Sequence, residues 1–193
     1  MIEDLMNLRN SGAEIQTTEI DKIYAMPLNT NTSKVLKFIN AAASDDESRE
    51  FLQGVLFQDN FAVATDGRRM HIYLGDAFNI SKYGTAKVSL SKKEALCVFY
   101  ECQFPRFKRV IPEITDTTMT VNLVYHKING ICDFIYPLSK HTFVFNDSYL
   151  KDLVSYANTW RAYFSENTNA VVFESLDNAV PKIFALIMPI KVL

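Results

Sequence analysis

Residues 62–73 read AVATDGRRMHIY, two short apolar runs joined by a polar turn. Asp66-Gly67 is a turn signal, because aspartate bonds to nearby backbone amides and glycine tolerates positive φ. The runs on either side of this pair predict the two strands of a β-hairpin. The turn accounts for neither Arg68 nor Arg69. Two adjacent arginines at a hairpin tip therefore need a second explanation.

Composition limits the class of protein. The chain has 193 residues, of which 48% are hydrophobic, with 14 Phe and 9 Tyr. This is enough to bury a core in one large domain or two small ones. No apolar run approaches the roughly 20 residues that cross a bilayer, and the N-terminus is acidic where a signal peptide would be basic. We expect an ordered globular protein in the cytoplasm, with no membrane partner.

The residues that could carry redox or metal chemistry are scattered. The three cysteines are Cys97, Cys102 and Cys132, and the three histidines are His71, His126 and His141. The cysteines lack CxxC spacing, so we expect free thiols rather than a disulfide framework or a zinc site. The acidic run 45–47 follows a predicted helix and is typical of a solvated loop. We expect no metal, no cofactor and no catalytic residues.

Three segments place apolar residues at helical spacing and predict helices: residues 33–43, 91–100 and 146–157. In the second, Ser91 and Glu94 have the spacing of a capping box. Each segment also carries lysines on its polar side. Lysine in the first turn opposes the helix dipole, which indicates an anionic partner.

Between these segments the apolar period changes to two, which predicts strands. Alternation runs through residues 118–125, and Asn129-Gly130 predicts a type I′ turn into the next strand. The runs RAYFS, VVFES and FALIMPIKVL continue the series. The pattern predicts an α+β fold rich in hairpins. Up to three strand-helix units resemble one another, which indicates internal repetition, although any α+β protein yields some such matches.

Three separated segments resemble one family. They are FLQGVLFQDNFAVATDGRRMHIY at 51–73, FPRFKRVIPE at 104–113 and FALIMPIKVL at 184–193. Together they are similar to the bacterial DNA polymerase III beta subunit, the sliding clamp. In that family an ATDG-x-R hairpin, an FP-x-[YF]-[RK]-R-V-[LI]-P segment and an MP-hydrophobic-basic-hydrophobic tail occur in this order. Three motifs in order are far more specific than any one of them.

The resemblance implies a clamp-like fold, with antiparallel sheets outside and helices on one face that lines a central hole for duplex DNA. It also implies a hydrophobic pocket that receives short linear peptides from DNA polymerase, the clamp loader and repair proteins. In this chain the pocket would use Leu52, Thr65, Gly67, Arg69, Met70, Pro105, Arg109, Val110, Leu186, Met188, Pro189 and Ile190. Such a pocket would explain the arginines, whose stems pack while their guanidinium groups offer donors to peptide oxygens.

Lysines on successive predicted helices are the candidates for DNA contact. They are Lys34, Lys37, Lys92, Lys93 and Lys151. A single exposed lysine is an ordinary solvated residue, but recurrence on successive helices is what a ring lining needs. Such contacts go to phosphates, weaken with salt and read no sequence, which lets a ring slide. The net charge of −2 means that DNA binding must come from this local arrangement.

The chain is shorter than the family's chains, as a phage or mobile-element clamp could be. Residues 1–112 are expected to form one clamp-like lobe that resembles part of the middle clamp domain, with 1–22 unplaced. Residues 113–193 are expected to form a second lobe that resembles the last domain. No first clamp domain is recognisable, so the ring geometry is open.

Three functions from different classes compete. The first is a compact sliding clamp, a homo-oligomer that encircles duplex DNA and acts as a processivity factor. The second is a non-encircling clamp-like protein that binds partner peptides and regulates replication. The third, an enzyme of nucleic-acid metabolism, has no triad, metal cluster or phosphate loop to support it. The oligomeric state separates the first two.

Overall fold

The computed structural model describes residues 2–12, 23–76, 78, 84–114, 119–124, 127–128, 131–132, 145–164, 169–177 and 182–190. The helices within those ranges are α1 (Ile2–Asn10), α2 (Thr30–Asn40) and α3 (Asp147–Tyr156). The strands are β1 (Ile23–Pro27), β2 (Val55–Gln58), β3 (Phe61–Thr65), β4 (Arg69–Leu74), β5 (Gly84–Leu90), β6 (Glu94–Tyr100), β7 (Met119–Val124), β8 (Lys127–Ile128), β9 (Ile131–Cys132), β10 (Thr159–Phe164), β11 (Val171–Ser175) and β12 (Lys182–Ile187).

Ten of these strands form one antiparallel sheet. Its order is β1-β6-β5-β2-β3-β4-β12-β11-β10-β7. β8 and β9 pair as a separate hairpin, and the turn expected between them, 129–130, lies outside the described residues. The predicted α+β class with antiparallel strands is confirmed, and the predicted hairpin at 62–73 is β3 and β4.

The centre of the sheet has an internal pseudo-symmetry. α2 is followed by β2, β3 and β4, and α3 is followed by β10, β11 and β12. The last strands of the two units pair with each other, from Ile187 opposite Arg69 to Lys182 opposite Leu74. α2 and α3 also contact each other. Two of the three expected repeat copies therefore correspond to helix-containing units, and the sheet runs unbroken between them.

Different elements cover the two faces of the sheet. Side chains alternate along β3, so Ala62 and Ala64 pack in one core with α2 and α3, while Phe61 and Val63 pack on the opposite side. α1 lies on that opposite side, where its Leu5 is fully buried. We call the two sides the α2/α3 face and the α1 face.

Residues 2–12, which the resemblance to the family left unplaced, form α1 and the two residues that follow it. Arg9 Nε donates to the carbonyl of Ile111 at 3.0 Å, and Lys108 Nζ donates to Ser11 Oγ at 2.9 Å. Both bonds join α1 to the segment that contains the 3₁₀ turn Phe107–Val110. α1 is therefore a cover of the sheet that also braces this turn.

The helix predicted at 91–100 is wrong, because most of this segment is strand β6. Its burial alternates: Ala95, Cys97 and Phe99 are buried, whereas Leu96 and Val98 are exposed. The Ser-x-x-Glu spacing belongs to a tight turn, in which the hydroxyl of residue 91 accepts from the amide of residue 94 at 3.0 Å. Pairing with β1 and β5 on both sides decides the strand.

The other two predicted helices are present with small shifts in their bounds. α2 begins three residues earlier than expected, because Asn29 Oδ1 accepts from the amide of Thr32 at 2.8 Å and caps the helix. α3 begins within the predicted segment and is capped by Asn146, whose side-chain oxygen accepts from the amide of Ser148 at 3.0 Å. In the described part of the chain, no helix has the length and apolarity needed to cross a membrane.

Candidate functional site

The first wall of the candidate pocket is the β3–β4 turn. Asp66 Oδ1 accepts from the amides of Arg68 at 2.8 Å and Arg69 at 2.9 Å. Thr65 Oγ1 accepts from the amide of Gly67 at 3.0 Å and donates to the carbonyl of Arg69 at 2.7 Å. Gly67 has φ +89°, a conformation that other residues adopt only with strain. The turn is therefore held rigidly and needs its glycine.

The second wall is the segment that surrounds the 3₁₀ turn Phe107–Val110. Phe104, Phe107 and Ile111 are buried, and the ring centroid of Phe107 lies 5.8 Å from that of Phe61 on β3. These aromatic contacts fix the segment against the α1 face. Val110, by contrast, is 52% exposed. The segment thus offers an apolar side chain to solvent from a buried base.

The third wall is the end of β12. Leu186 lies opposite Met70 in the β4–β12 pairing. The next residues leave the strand, and the amide of Met188 donates to the carbonyl of Arg68 at 2.9 Å. This bond holds Met188, which is 38% exposed, beside the β3–β4 turn. The pairing of the two pseudo-symmetric units therefore brings the first and third walls together.

The three walls surround a cavity of about 310 Å³. Nine of the residues proposed from the sequence line it: Leu52, Thr65, Gly67, Arg69, Met70, Pro105, Val110, Leu186 and Met188. Three do not: Arg109, Pro189 and Ile190. Arg109 and Ile190 are exposed to solvent. Arg109 is adjacent in the chain to the lining residue Val110, and Ile190 is two positions after the lining residue Met188. A motif marks the segment, whereas the local backbone decides which of its side chains face the cavity.

Five lining residues were missed by sequence reasoning: Phe51, Arg68, Arg106, Phe107 and Ala170. Arg68, Arg106 and Phe107 lie inside the quoted motifs. Because adjacent motif residues were predicted to line the pocket, these three could have been predicted as well. Phe51 begins one of the quoted segments, immediately before Leu52. Nothing in the local sequence marks Ala170, which reaches the cavity through the start of β11.

Arg69 has a different role from the one expected. Its Nε lies 3.1 Å from Asp66 Oδ2, and its Nη1 contacts Asp152 Oδ2 on α3. Its guanidinium also lies 4.5 Å from the centroid of the Tyr149 ring. Burial of the Asp152 carboxyl raises its pKa, which Arg69 opposes. Arg69 therefore lines the cavity while its charge is held by two carboxylates.

The lysines proposed for DNA contact lie on three elements. Lys34 and Lys37 are exposed on α2, and Lys34 Nζ lies 4.9 Å from the ring centroid of Tyr156 on α3. Lys151 is exposed on α3 and pairs with Asp147 at 2.5 Å. α2 and α3 therefore present these lysines from neighbouring helices.

Lys92 and Lys93 are on no helix, which corrects the expectation for them. They lie in the β5–β6 turn. The carbonyl of Lys93 accepts from the amide of Leu28 at 2.8 Å, which holds this turn near the start of α2. Two of the five proposed lysines therefore lie in a turn, and three lie on helices.

The residues considered for metal or redox chemistry have structural roles where they are described. Among the described residues, no group of three or more His, Cys, Asp or Glu side chains could hold a metal. Asp46 in the acidic run accepts from the amide and hydroxyl of Ser48, which lowers its pKa. Burial raises the pKa of the Cys97 thiol to about 12. His126, His141 and the side chain of Cys132 lie outside the described part.

No protein-family model matches the sequence, and no curated protein does either. Solved structures do match. The DNA polymerase III beta chain of Streptococcus pneumoniae has a TM-score of 0.55 at 18% identity, covering 95% of this chain and 68% of its own. Caulobacter crescentus pol III beta has a TM-score of 0.59 at 16% identity, covering 94% of this chain and 70% of its own.

The Helicobacter pylori beta clamp, solved in complex with diflunisal, gives a TM-score of 0.54 at 13% identity, with 92% of this chain and 69% of the clamp covered. Identities this low establish the fold alone. The likeness covers 92–95% of this chain in these three comparisons. The chain has the fold of the bacterial DNA polymerase III beta sliding clamps and covers 68–70% of the length of these three.

Proposed function

We propose that this protein is a sliding clamp, a non-catalytic, cytoplasmic processivity factor that encircles duplex DNA as a homo-oligomer. The cavity would bind short peptides of DNA polymerase and of a clamp loader, and would so tether these partners. The observation that carries the proposal is that the base of the cavity and the lysine-bearing helices α2 and α3 lie on opposite faces of the sheet. The cavity is built on Met70 and Leu186 from the α1 face, and exposed lysines stand on α2 and α3 across the sheet.

The cavity suits a short peptide. Its base is apolar, with Met70, Phe107 and Leu186 all buried, and about 310 Å³ accommodates one or two large apolar side chains. Exposed Val110 and Met188 stand at its opening. A partner would bury these two side chains when it docks, as anchor residues do at the centre of an interface.

The helix face suits duplex DNA. Lys34, Lys37 and Lys151 provide positive charge without a pattern of base-reading groups, so contacts would go to phosphates. Such contacts are sequence-independent, and a ring that makes them can slide. Lys92 and Lys93 would contribute from the β5–β6 turn.

One chain supplies too few helix-and-strand units to close a hole around a duplex, so the ring would need several subunits. β1 and β7 are the two outer strands of the ten-stranded sheet. Among the described strands each has a neighbour on one side only, so its other side could continue the sheet into a neighbouring subunit. Within each subunit we propose two lobes, 1–112 and 113–193, that meet where β4 pairs with β12.

Whether the protein encircles DNA can be tested by blocking the ends of a linear duplex either before or after the protein is added. A ring threads onto linear duplex through a free end, so blocking both ends with biotin and streptavidin after mixing should trap it. Blocking before mixing should exclude it. A non-encircling protein would bind equally in either order, and that result would overturn the ring.

The same assay tests the helix face. The double variant Lys34→Ala with Lys37→Ala should retain less protein on DNA and lower the slope of log affinity against log salt by about two. Lys87→Ala is the matched control, because Lys87 is exposed on β5 and points away from the α2/α3 core. Equal loss in both variants would mean that α2 does not face the DNA.

A further inference from the structure

The charged residues that line the cavity are all of one sign. They are Arg68, Arg69 and Arg106, and no Asp or Glu is among the described residues that line it. The chain as a whole carries a net charge of −2. This local excess of positive charge is therefore a property of the cavity and not of the protein surface in general.

The three arginines differ in what they can offer a ligand. Arg69 is held by Asp66 and Asp152, as described above. Arg68 and Arg106 are exposed, and within the described part of the chain neither side chain has an ion pair or a hydrogen bond. Among the described residues, nothing therefore occupies the guanidinium groups of these two lining residues.

These two arginines stand on different walls. Arg68 lies in the β3–β4 turn, where its carbonyl is tied to Met188. Arg106 lies on the segment before the Phe107–Val110 turn, and its carbonyl accepts from the amide of Arg109 at 3.2 Å. The backbone at both positions is therefore hydrogen-bonded, and both residues line a cavity whose base is apolar.

We propose that the cavity selects acidic peptides, in which carboxylates flank the large apolar side chain that fills it, and that Arg68 and Arg106 are the residues that determine this specificity. The inference rests on the proposed peptide-binding function. Guanidinium groups bind carboxylates through two parallel hydrogen bonds, and an adjoining apolar cleft lowers the local dielectric and strengthens the attraction.

Nucleic-acid phosphates could also bind free arginines. The apolar base favours a peptide, because Met70, Phe107 and Leu186 offer a phosphate no donor while they do accept an aliphatic or aromatic side chain. The base of the cavity also lies on the α1 face, whereas α2, which carries Lys34 and Lys37, packs on the opposite face of the sheet. DNA binding at these arginines is therefore an alternative that the experiment must separate.

The test uses two capped peptides that share a Leu-Phe pair and differ only in flanking residues, two Asp in one and two Asn in the other. Calorimetric titration at low salt should give the Asp peptide about tenfold tighter binding, the scale of charge-assisted hydrogen bonds. The difference should shrink as salt is raised, because the arginines are exposed. The double variant Arg68→Gln with Arg106→Gln should bind both peptides alike, with the affinity of the native protein for the Asn peptide.

Lys87→Gln is the control, because it removes one exposed positive charge on β5 outside the cavity and should keep the tenfold preference. Equal binding of both peptides by the native protein would overturn the inference and leave the peptide-binding function standing. Failure of both peptides to bind would instead count against the peptide-binding function itself. Loss of duplex binding in the arginine variant, with peptide preference intact, would assign these arginines to nucleic acid and overturn the inference.

Discussion

At the scale of single residues, His71 shows how the core tolerates a titratable group. Its Nδ1 lies 2.6 Å from the carbonyl oxygen of Phe38 on α2, and its ring stacks on the Phe38 ring at 4.0 Å. Because a carbonyl only accepts, Nδ1 carries the proton of a neutral ring. Nε2 is buried without a hydrogen-bond partner among the described residues. Burial lowers the pKa of His71 to about 3.

This burial predicts a pH-dependent stability. An unfolded histidine has a pKa near 6.5, so between about pH 6.5 and 3 the unfolded chain binds a proton that the native protein does not. Stability must then fall as the pH falls below 6.5. The free energy of unfolding should be lower by about 1.4 kcal/mol at pH 5.5 than at pH 7.5. Urea denaturation at the two pH values measures it.

The control is His71→Phe, which keeps a flat ring of similar size and cannot titrate. The acid-induced loss should disappear in this variant, whatever its absolute stability. A loss of equal size in both proteins would assign the pH dependence to other groups.

Residue-level outcomes also show how far the site could be predicted. The hairpin turn was predictable because Asp66-Gly67 encodes its own geometry, and nine pocket residues followed from motif segments. The role of Arg69 was not predictable, because its partner Asp152 lies 83 positions away in the chain. Ala170 was missed for the same reason. Local sequence patterns therefore predict which segments form the cavity, whereas contacts between residues distant in the chain decide which side chains are available to a ligand.

At the scale of elements, the same limit explains β6. The spacing of apolar residues in 91–100 and the Ser-x-x-Glu pair predicted a helix, and this prediction was wrong. Two neighbouring strands, one of them more than 60 positions earlier in the chain, decide that the segment is a strand. α3 and β10 to β12 were predictable because cap, period and turn signals agree there.

The contact between β4 and α3 is the element-scale feature with a direct test. Arg69 joins the cavity wall to α3 through Asp152, and the two side chains are only 14% and 23% exposed. Asp152→Asn leaves the guanidinium with one carboxylate instead of two. We expect the free energy of unfolding to fall by about 1–3 kcal/mol, the cost of removing one partner from a largely buried charged contact.

The matched control lies one turn earlier on the same helix. Asp147 pairs with Lys151, and both side chains are more than 60% exposed. Asp147→Asn should therefore cost less than about 1 kcal/mol. Chemical denaturation of the two variants compares them directly, and similar losses would show that the Arg69–Asp152 contact contributes no more than a surface pair.

For the molecule as a whole, the described part of the sheet is covered at its centre, whereas apolar side chains are exposed at its β1 edge. α1 and the 104–111 segment cover the central strands on the α1 face. At the β1 edge, on the same face, Ile23, Leu96 and Val98 are 65%, 41% and 37% exposed. Ile23 stands directly opposite Val98 in the β1–β6 pairing. An apolar patch beside the outermost described strand is a surface that a second copy of the chain can cover.

This arrangement predicts both self-association and its location. Under the ring proposal the native protein should sediment as a multiple of its 22.0 kDa chain, and Ile23→Lys should shift it towards the monomer by placing a charge in the apolar patch. Peptide affinity should not change, because the cavity is formed within one chain. Asn60→Lys adds the same charge at the exposed β2–β3 turn and should leave the mass unchanged. A monomeric mass for the native protein at high concentration would favour the non-encircling peptide binder, since one ten-stranded sheet with two helices on one face cannot surround a duplex by itself.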